Sequence, residues 1–134
     1  MTIKKNVKSD SFQFIVPIYG VLVKVIKDKR SNLSKRFKES TGVDRLSIVN
    51  PLEFAKTIQV DSKEEGSYVV LLLTEHTDIS ILVHESVHMA KSVMRIAGVK
   101  VMDEETEAYI TQYCFSVVDS YYNFDILANE DSIY

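Results

Sequence analysis

Cysteine is almost absent from this chain, which has one cysteine, three histidines and no tryptophan among its 134 residues. A single cysteine excludes an internal disulfide, and this favours a reducing compartment such as the cytoplasm. Cys114 falls in the middle of a predicted helix. We therefore interpret it as a small buried apolar residue rather than as a metal ligand or a nucleophile.

The sequence also lacks any apolar segment long enough to cross a membrane. Its apolar start resembles a signal peptide in outline, but Gln13, Pro17, Gly20 and Lys24 interrupt the run and no small-residue cleavage site follows. Repeats, low-complexity tracts and linkers are absent as well. We expect one cytoplasmic domain over residues 1–134, without a membrane partner, whose ends at residues 1–10 and 123–134 are loosely ordered.

Each half of the chain is poor in charge of one sign. Residues 1–50 carry 11 Lys and Arg against 4 Asp and Glu, whereas residues 51–134 carry 5 against 15. The basic side chains are densest between Lys24 and Lys38. Such a patch can contact nucleic-acid phosphates. Because it is short and has few aromatic neighbours, a solvated helix face is the favoured interpretation, and nucleic acid is kept as a minor alternative partner.

Two of the three histidines occur in the pentapeptide His84-Glu85-Ser86-Val87-His88. On a helix, this HExxH spacing places both imidazoles one turn apart on one face, where they can ligate a single Zn²⁺, and the glutamate can act as a general base. Thr77 or Asp78 is a suitable cap for this helix, and Gly98 is a suitable end. An apolar stripe beside the histidines is expected to face the core, and it consists of Ile79, Val83, Val87, Ala90, Met94 and Ala97.

A second helix is predicted after a short link. Asp103 is a suitable N-cap, and the first turn that follows is acidic. Apolar residues then recur at helical spacing, at Ile110, Tyr113, Val117 and Tyr121. Because the link is short, we expect this helix to double back and bring its acidic turn toward the histidines. Acids in a first turn also favour the helix dipole without any metal, so the pattern alone leaves both interpretations open.

This arrangement resembles the gluzincins, which are zinc metallopeptidases with HExxH on one helix and a glutamate ligand on the next. Several branches carry E-x-x-A or E-x-E-A on that second helix, and Glu105-Thr106-Glu107-Ala108 is similar. The resemblance covers roughly residues 67 to 122. It implies a Zn²⁺ held by His84, His88 and Glu105, with Glu104 as the fallback ligand. The outline is also similar to small metallopeptidase-like proteins encoded in bacteriophage genomes, which implies the host cytoplasm.

One position departs from the thermolysin-like pattern. Those gluzincins have an aspartate four residues after the ligand glutamate, where it orients a zinc-bound histidine, and this chain has Tyr109 there. The Tyr109 hydroxyl can accept the same histidine N–H, polarise a substrate carbonyl, or belong to a core tyrosine with a wet tip. His76, just before the helix, is a further candidate for the cleft, although a lone loop histidine is often incidental.

The resemblance implies hydrolysis of a peptide or amide bond by a metal-activated water. Glu85 is the expected general base, which takes a proton from the water and passes it to the leaving nitrogen. Tyr109 is the second candidate catalytic residue. Two other interpretations stay open: a catalytically inactive zinc-binding protein that binds a host protein, and a nucleic-acid-associated binder that uses the basic half.

The fold class follows from the order of the elements. We predict an α+β domain of the zincin-like kind, with a short antiparallel or mixed sheet packed against the HExxH helix and the acidic helix. Residues 12–27 are predicted as one long strand or two strands with a bend, residues 31–40 as a short helix, and residues 68–73 as a strand. Residues 43–60 fit neither the helical period nor the strand period. Residues 68–74 are a candidate edge strand for an extended peptide substrate, although their apolar run favours a buried strand.

Overall fold

The part of the chain that the structure describes contains four strands and three helices. In order they are β1 (Asp10–Val16), β2 (Val21–Lys27), α1 (Arg30–Thr41), β3 (Ala55–Ser62), β4 (Gly66–Leu73), α2 (Ile79–Ala97) and α3 (Glu104–Tyr122). The computed structural model describes residues 10–45, 48–99 and 103–124. The predicted α+β class is confirmed. Most of the two ends expected to be loosely ordered lies outside these residues, but Asp10 begins β1 and Phe124 is 8% exposed.

The segment predicted as one strand or two is a β-hairpin. β1 and β2 pair antiparallel, from Asp10 opposite Lys27 to Val16 opposite Val21. The chain reverses between them through a tight turn in which the Gly20 N–H donates to the Val16 carbonyl at 2.9 Å. Gly20 has φ +65°, a backbone conformation that glycine adopts without steric cost. The two-strand alternative is therefore the right one.

β4 lies in the interior of the sheet, whose strand order is β1-β2-β4-β3. It runs parallel to β2 and antiparallel to β3, so the sheet is mixed. Residues 68–73 are at most 1% exposed, as expected for a strand covered on both faces. The alternative in which residues 68–74 offer a free edge to a peptide is wrong, because both edges of β4 are paired. The edge strands are β1 and β3, and most of β3 falls within residues 43–60, which fitted neither the helical nor the strand period.

The sheet has helices on both faces. Side chains that alternate along β2 and β4 pack against α2 and α3 on one face, and these are Val23, Val25, Val69, Leu71 and Leu73. The intervening side chains Ile26, Tyr68, Val70 and Leu72 pack against Leu33 and Phe37 of α1 on the other face. Because successive side chains of a strand point to opposite faces, this one sheet contributes to two separate hydrophobic cores.

The ends of α2 are where local signals predict them. The Asp78 carboxylate accepts the Ile81 N–H at 3.0 Å, and Gly98 closes the helix with φ +80°. The buried face differs from the predicted stripe. Residues at 0% exposure include Leu82, Ser86, Met89, Ala90 and Val93, whereas Val83 and Val87 are 48% and 36% exposed. Of the predicted stripe, Ala90 and Met94 are buried as expected, whereas Val83 and Val87 lie on a neighbouring, exposed face.

α3 packs beside α2, which confirms that the chain doubles back. Lys91 of α2 and Glu107 of α3 form an ion pair with a 2.9 Å nitrogen–oxygen distance. The buried residues of α3 recur at every fourth position and are Ile110, Cys114, Val118 and Tyr122. Of the predicted stripe only Ile110 belongs to this row. Tyr113 and Tyr121 instead contact Phe14 and Phe12 of β1, and Val117 is half-buried. None of the helices in the described part of the chain has the length and apolar character needed to cross a membrane.

Candidate metal centre

His84 and His88 converge on one point at the solvent-exposed face of α2. Their Nε2 atoms lie 3.2 Å apart, and the two rings meet edge to face with centroids 4.8 Å apart. Two Zn–N bonds at the tetrahedral angle would separate their nitrogens by roughly 3.3 Å. Both side chains are exposed. The predicted two-histidine arrangement is thus present, and its geometry suits two ligands of one metal ion.

Glu85 points away from solvent, toward the edge of the sheet. It is 7% exposed, and its Oε1 accepts a hydrogen bond from the Thr57 hydroxyl of β3 at 2.7 Å. Ten residues further on, nearly three helical turns, the Arg95 guanidinium donates to the Gln59 side-chain oxygen of the same strand at 2.9 Å. α2 is therefore fixed to the edge strand at Glu85, between the two histidines, and again at Arg95, beyond them, and the Glu85 carboxylate has a defined orientation.

The predicted third ligand does not join the histidines. Among residues 10–45, 48–99 and 103–124, no group of three or more His, Cys, Asp or Glu side chains is placed to hold one metal ion. α2 continues for nine residues beyond His88, which is about 13 Å of helix. α3 packs beside α2, and the contact of its first turn with α2 is the ion pair between Glu107 and Lys91. Glu105 is an exposed residue of the same turn.

The other acids of the α3 first turn differ in their surroundings. Glu107 faces α2 and pairs with Lys91, and its side chain is 23% exposed. Glu104, the fallback ligand, is exposed and lines a groove between α2 and α3. The Asp103 side chain caps the helix, since it accepts the Glu105 N–H at 3.1 Å. The acidic turn thus has the capping role expected of such residues, and Glu107 is the acid that contacts the HExxH helix.

Neither of the two extra candidates contacts the histidine pair. The Tyr109 ring is 44% exposed and stacks on Tyr113 with centroids 6.5 Å apart. Tyr113 in turn contacts Phe14 of β1, so this row of rings follows the side of α3 that is turned away from α2. His76 is exposed in the loop before α2, where its ring lies 5.9 Å from that of Phe54.

Cys114 is fully buried in the core between the sheet and α3, as expected. Burial raises the pKa of its thiol to about 12. A thiol with so high a pKa supplies almost no thiolate at neutral pH, and thiolate is the form that attacks or ligates. The structure therefore agrees with an apolar packing role for this residue.

Three basic residues of the first half contact other groups of the fold. Arg36 pairs with Asp28 at 2.9 Å, and Lys38 pairs with the exposed Asp44 at 3.5 Å. The Arg30 guanidinium donates to the Glu53 carbonyl. These contacts favour internal charge balance as the role of Arg30, Arg36 and Lys38, and nucleic acid stays a minor alternative prediction.

Thr57 is the functional candidate that the sequence did not reveal. It lies in a segment with no clear period, and a threonine in a strand carries no signal of its partner 28 residues away. We expect Thr57→Val to remove the donor that orients Glu85 and to lower any hydrolytic rate by about tenfold, a loss of about 1.4 kcal/mol in transition-state stabilisation. Thr57→Ser keeps the hydroxyl and should restore most of that rate. Equal rates for the Val and Ser variants would exclude an orienting role for the hydroxyl.

Comparisons of the chain with protein-family models, with curated proteins and with solved structures found no match. The function of the protein must therefore be inferred from the chemistry of its own residues. That chemistry includes two converging imidazoles, a buried carboxylate between them in sequence, and a neighbouring edge strand.

Proposed function

We propose that this protein is a zinc-dependent hydrolase of peptide or amide bonds, with His84 and His88 as metal ligands. The observation that carries the proposal is the 3.2 Å separation of the two Nε2 atoms on an exposed helix face. Neutral imidazole nitrogens at this spacing are a common donor pair for Zn²⁺. The gluzincin resemblance adds the expectation of a third, carboxylate ligand, for which Glu105 remains the prediction and Glu104 the fallback.

Glu85 is the general base of the proposed reaction. A bound Zn²⁺ would supply an acidified water and an electrophile for the scissile carbonyl. The carboxylate would accept a proton from the attacking water and return it to the leaving nitrogen. Its Oε1 is occupied by the Thr57 hydroxyl, so the second carboxylate oxygen is the one assigned to proton transfer. Tyr109 is retained as a candidate electrophilic residue, although its ring stacks on Tyr113 in this structure.

The edge strand β3 is the proposed binding site for the substrate backbone. β3 pairs only with β4 in the sheet, so its outer backbone groups are available to an extended peptide. Thr57 and Gln59 of this strand contact Glu85 and Arg95 of α2. A peptide added along β3 would therefore lie beside the helix that carries the histidine pair. β3 thus takes the place of residues 68–74, which were a candidate for this role.

Zinc titration of the metal-free protein tests the proposal. With a chromophoric chelator as competitor, we expect about one Zn²⁺ per chain and a loss of affinity of at least tenfold in His84→Ala and in His88→Ala. His76→Ala is the matched control and should bind zinc as the unaltered protein does. Glu104→Gln, Glu105→Gln and Glu107→Gln, measured alongside, identify the carboxylate ligand as the one whose loss weakens binding. Unchanged zinc affinity in both histidine variants would contradict the proposal.

A second function, zinc binding without hydrolysis, is favoured by one observation. Glu85 is almost fully buried and bonded to Thr57, as a structural carboxylate would be. In that case the domain would bind a protein partner, and its zinc would stabilise the surface formed by α2. A protein that binds one Zn²⁺ per chain but cleaves no peptide in a mixed library, under conditions where the metal stays bound, would support this function over the first.

A further inference from the structure

A groove lies between α2 and α3. Its volume is about 480 Å³, and the lining residues include Val83 and Phe115 at one end and Glu104 and Glu107 at the other. Glu104 and Phe115 are eleven residues apart on α3, which corresponds to about 16 Å along the helix axis. The groove thus has an apolar end and an acidic end, separated by a distance that an extended peptide covers in about five residues.

The acidic end binds an ammonium group within the protein itself. The Lys91 Nζ lies 2.9 Å from the Glu107 carboxylate. Glu104 is exposed and has no side-chain partner among the residues the structure describes. α3 carries four acidic residues and no Lys or Arg. After Lys91 is counted, this end of the groove retains negative charge, so it is complementary to a cation.

The apolar end adjoins the candidate metal centre. Val83 directly precedes His84 in α2, and Ser86, between the two histidines, also lines the groove. Val83 is 48% exposed, which is unusual for a valine on a helix that packs against a sheet and α3. An exposed apolar side chain beside two exposed imidazoles is what a binding surface for an apolar ligand group requires.

We propose that this groove binds a peptide segment with an apolar side chain between Val83 and Phe115 and a Lys or Arg about five residues away, at Glu104. The segment is a part of the substrate of the proposed hydrolase separate from the stretch that pairs with β3, and in this respect the inference rests on that function. Burial of the apolar side chain supplies affinity, and the carboxylates select for the basic residue. A long basic side chain suits such an end because its methylene stem can lie on apolar surface while its charge meets the carboxylate.

Binding is measured with the Glu85→Gln protein, so that no cleavage interferes. The probes are fluorescein-labelled ten-residue Gly-Ser peptides that contain one leucine and one lysine four, five or six positions apart, with norleucine or glutamate in place of the lysine in the matched peptides. Fluorescence anisotropy at low salt should show that at least one lysine peptide binds about fivefold more tightly than its norleucine counterpart and at least tenfold more tightly than its glutamate counterpart.

The groove is identified by a pair of charge reversals. Glu104→Lys should remove the preference for lysine, whereas Glu64→Lys, the same charge change at an exposed position in the β3–β4 turn, should preserve it. Absence of binding, equal binding of the three matched peptides, or loss of the preference in both variants would each overturn the inference. Cleavage of peptides without a preference for lysine would refute the groove while leaving the hydrolase proposal intact. Lysine-selective binding without cleavage by the unaltered protein would support the groove and contradict the hydrolase proposal.

Discussion

Glu85→Gln is expected to lower the hydrolytic rate by about 10³-fold while zinc binding and stability are preserved. A positioned general base contributes typically 10²–10⁴-fold to a hydrolytic step, and an amide cannot take up the proton. The substitution is nearly isosteric, and a glutamine oxygen can still accept the Thr57 hydroxyl that lies 2.7 Å from Oε1. Because Glu85 is not one of the converging ligands, the metal site should be unaffected.

The measurement is cleavage of a mixed peptide library followed by mass spectrometry, with zinc content and thermal unfolding recorded on the same samples. Glu64→Gln, at an exposed position in the β3–β4 turn, is the matched control and should cleave at the unaltered rate. If Glu85→Gln cleaves as fast as the unaltered protein, the carboxylate is structural and the non-hydrolytic function gains support. If the zinc content falls together with the cleavage rate, Glu85 is needed for metal binding, and the lower rate does not show that it is the general base.

Elements with local end signals were predicted correctly from the sequence. The Asp78 and Asp103 caps and the Gly98 terminator each act through hydrogen bonds or backbone conformations within a few residues. Their positions therefore depend little on the rest of the fold. The same holds for the spacing of His84 and His88, because one helical turn sets the relation between their rings. The two-histidine half of the candidate site could be predicted for this reason.

Features that depend on distant contacts were not predicted. β3 gains its stability from pairing with β4, so residues 55–60 carry no strong period of their own. On α2, apolar residues occupy more than one face, and the position of the sheet decides that Leu82 and Met89 are buried while Val83 and Val87 are exposed. Sequence periodicity shows that a helix is amphipathic, but with apolar residues on adjoining faces it does not choose between them.

The position of the proposed third ligand, Glu105, also depends on distant contacts and was not predicted for that reason. The Asp103 cap, the helical spacing and the short link correctly predicted an acidic turn on a helix that doubles back beside α2. The distance from that turn to the histidines depends on how far α2 extends past His88, and it extends nine residues. Lys91 of α2 meets Glu107 rather than Glu105. The zinc titrations of the three glutamate variants are therefore informative whichever residue proves to be the ligand.

Asp28 anchors α1 to the end of β2. It is 6% exposed, and its Oδ1 accepts the Lys29 N–H at 2.7 Å and the Asn32 amide at 3.1 Å. Its Oδ2 accepts from the Arg36 guanidinium at 2.9 Å. Burial raises the pKa of this carboxyl, but the hydrogen bonds from Asn32, Lys29 and Arg36 together outweigh burial and hold the pKa below its usual range.

Asp28→Ala should therefore destabilise the protein by about 3 kcal/mol, because it removes three hydrogen bonds and leaves the Arg36 charge without its buried partner. In urea unfolding followed by circular dichroism, the midpoint should fall without a change in slope. Asp44→Ala removes the partner of Lys38 from an exposed ion pair, in which the Asp44 side chain is 69% exposed and the Lys38 side chain 58%. This substitution should lower the free energy of unfolding by less than about 0.5 kcal/mol. Similar midpoints for the two variants would contradict the assigned role of Asp28.

The stabilisation that Asp28 gives to the fold should also decrease as the pH falls. Since its folded-state pKa is depressed, the stabilisation is fully present above the unfolded-state pKa of about 3.9 and is lost as pH falls through the folded-state value. The difference in unfolding free energy between the unaltered protein and Asp28→Ala should be constant from about pH 7 to pH 5 and should shrink below about pH 4. A difference that stays constant down to pH 3 would show that the lost hydrogen-bond geometry, rather than the carboxylate charge, accounts for the destabilisation.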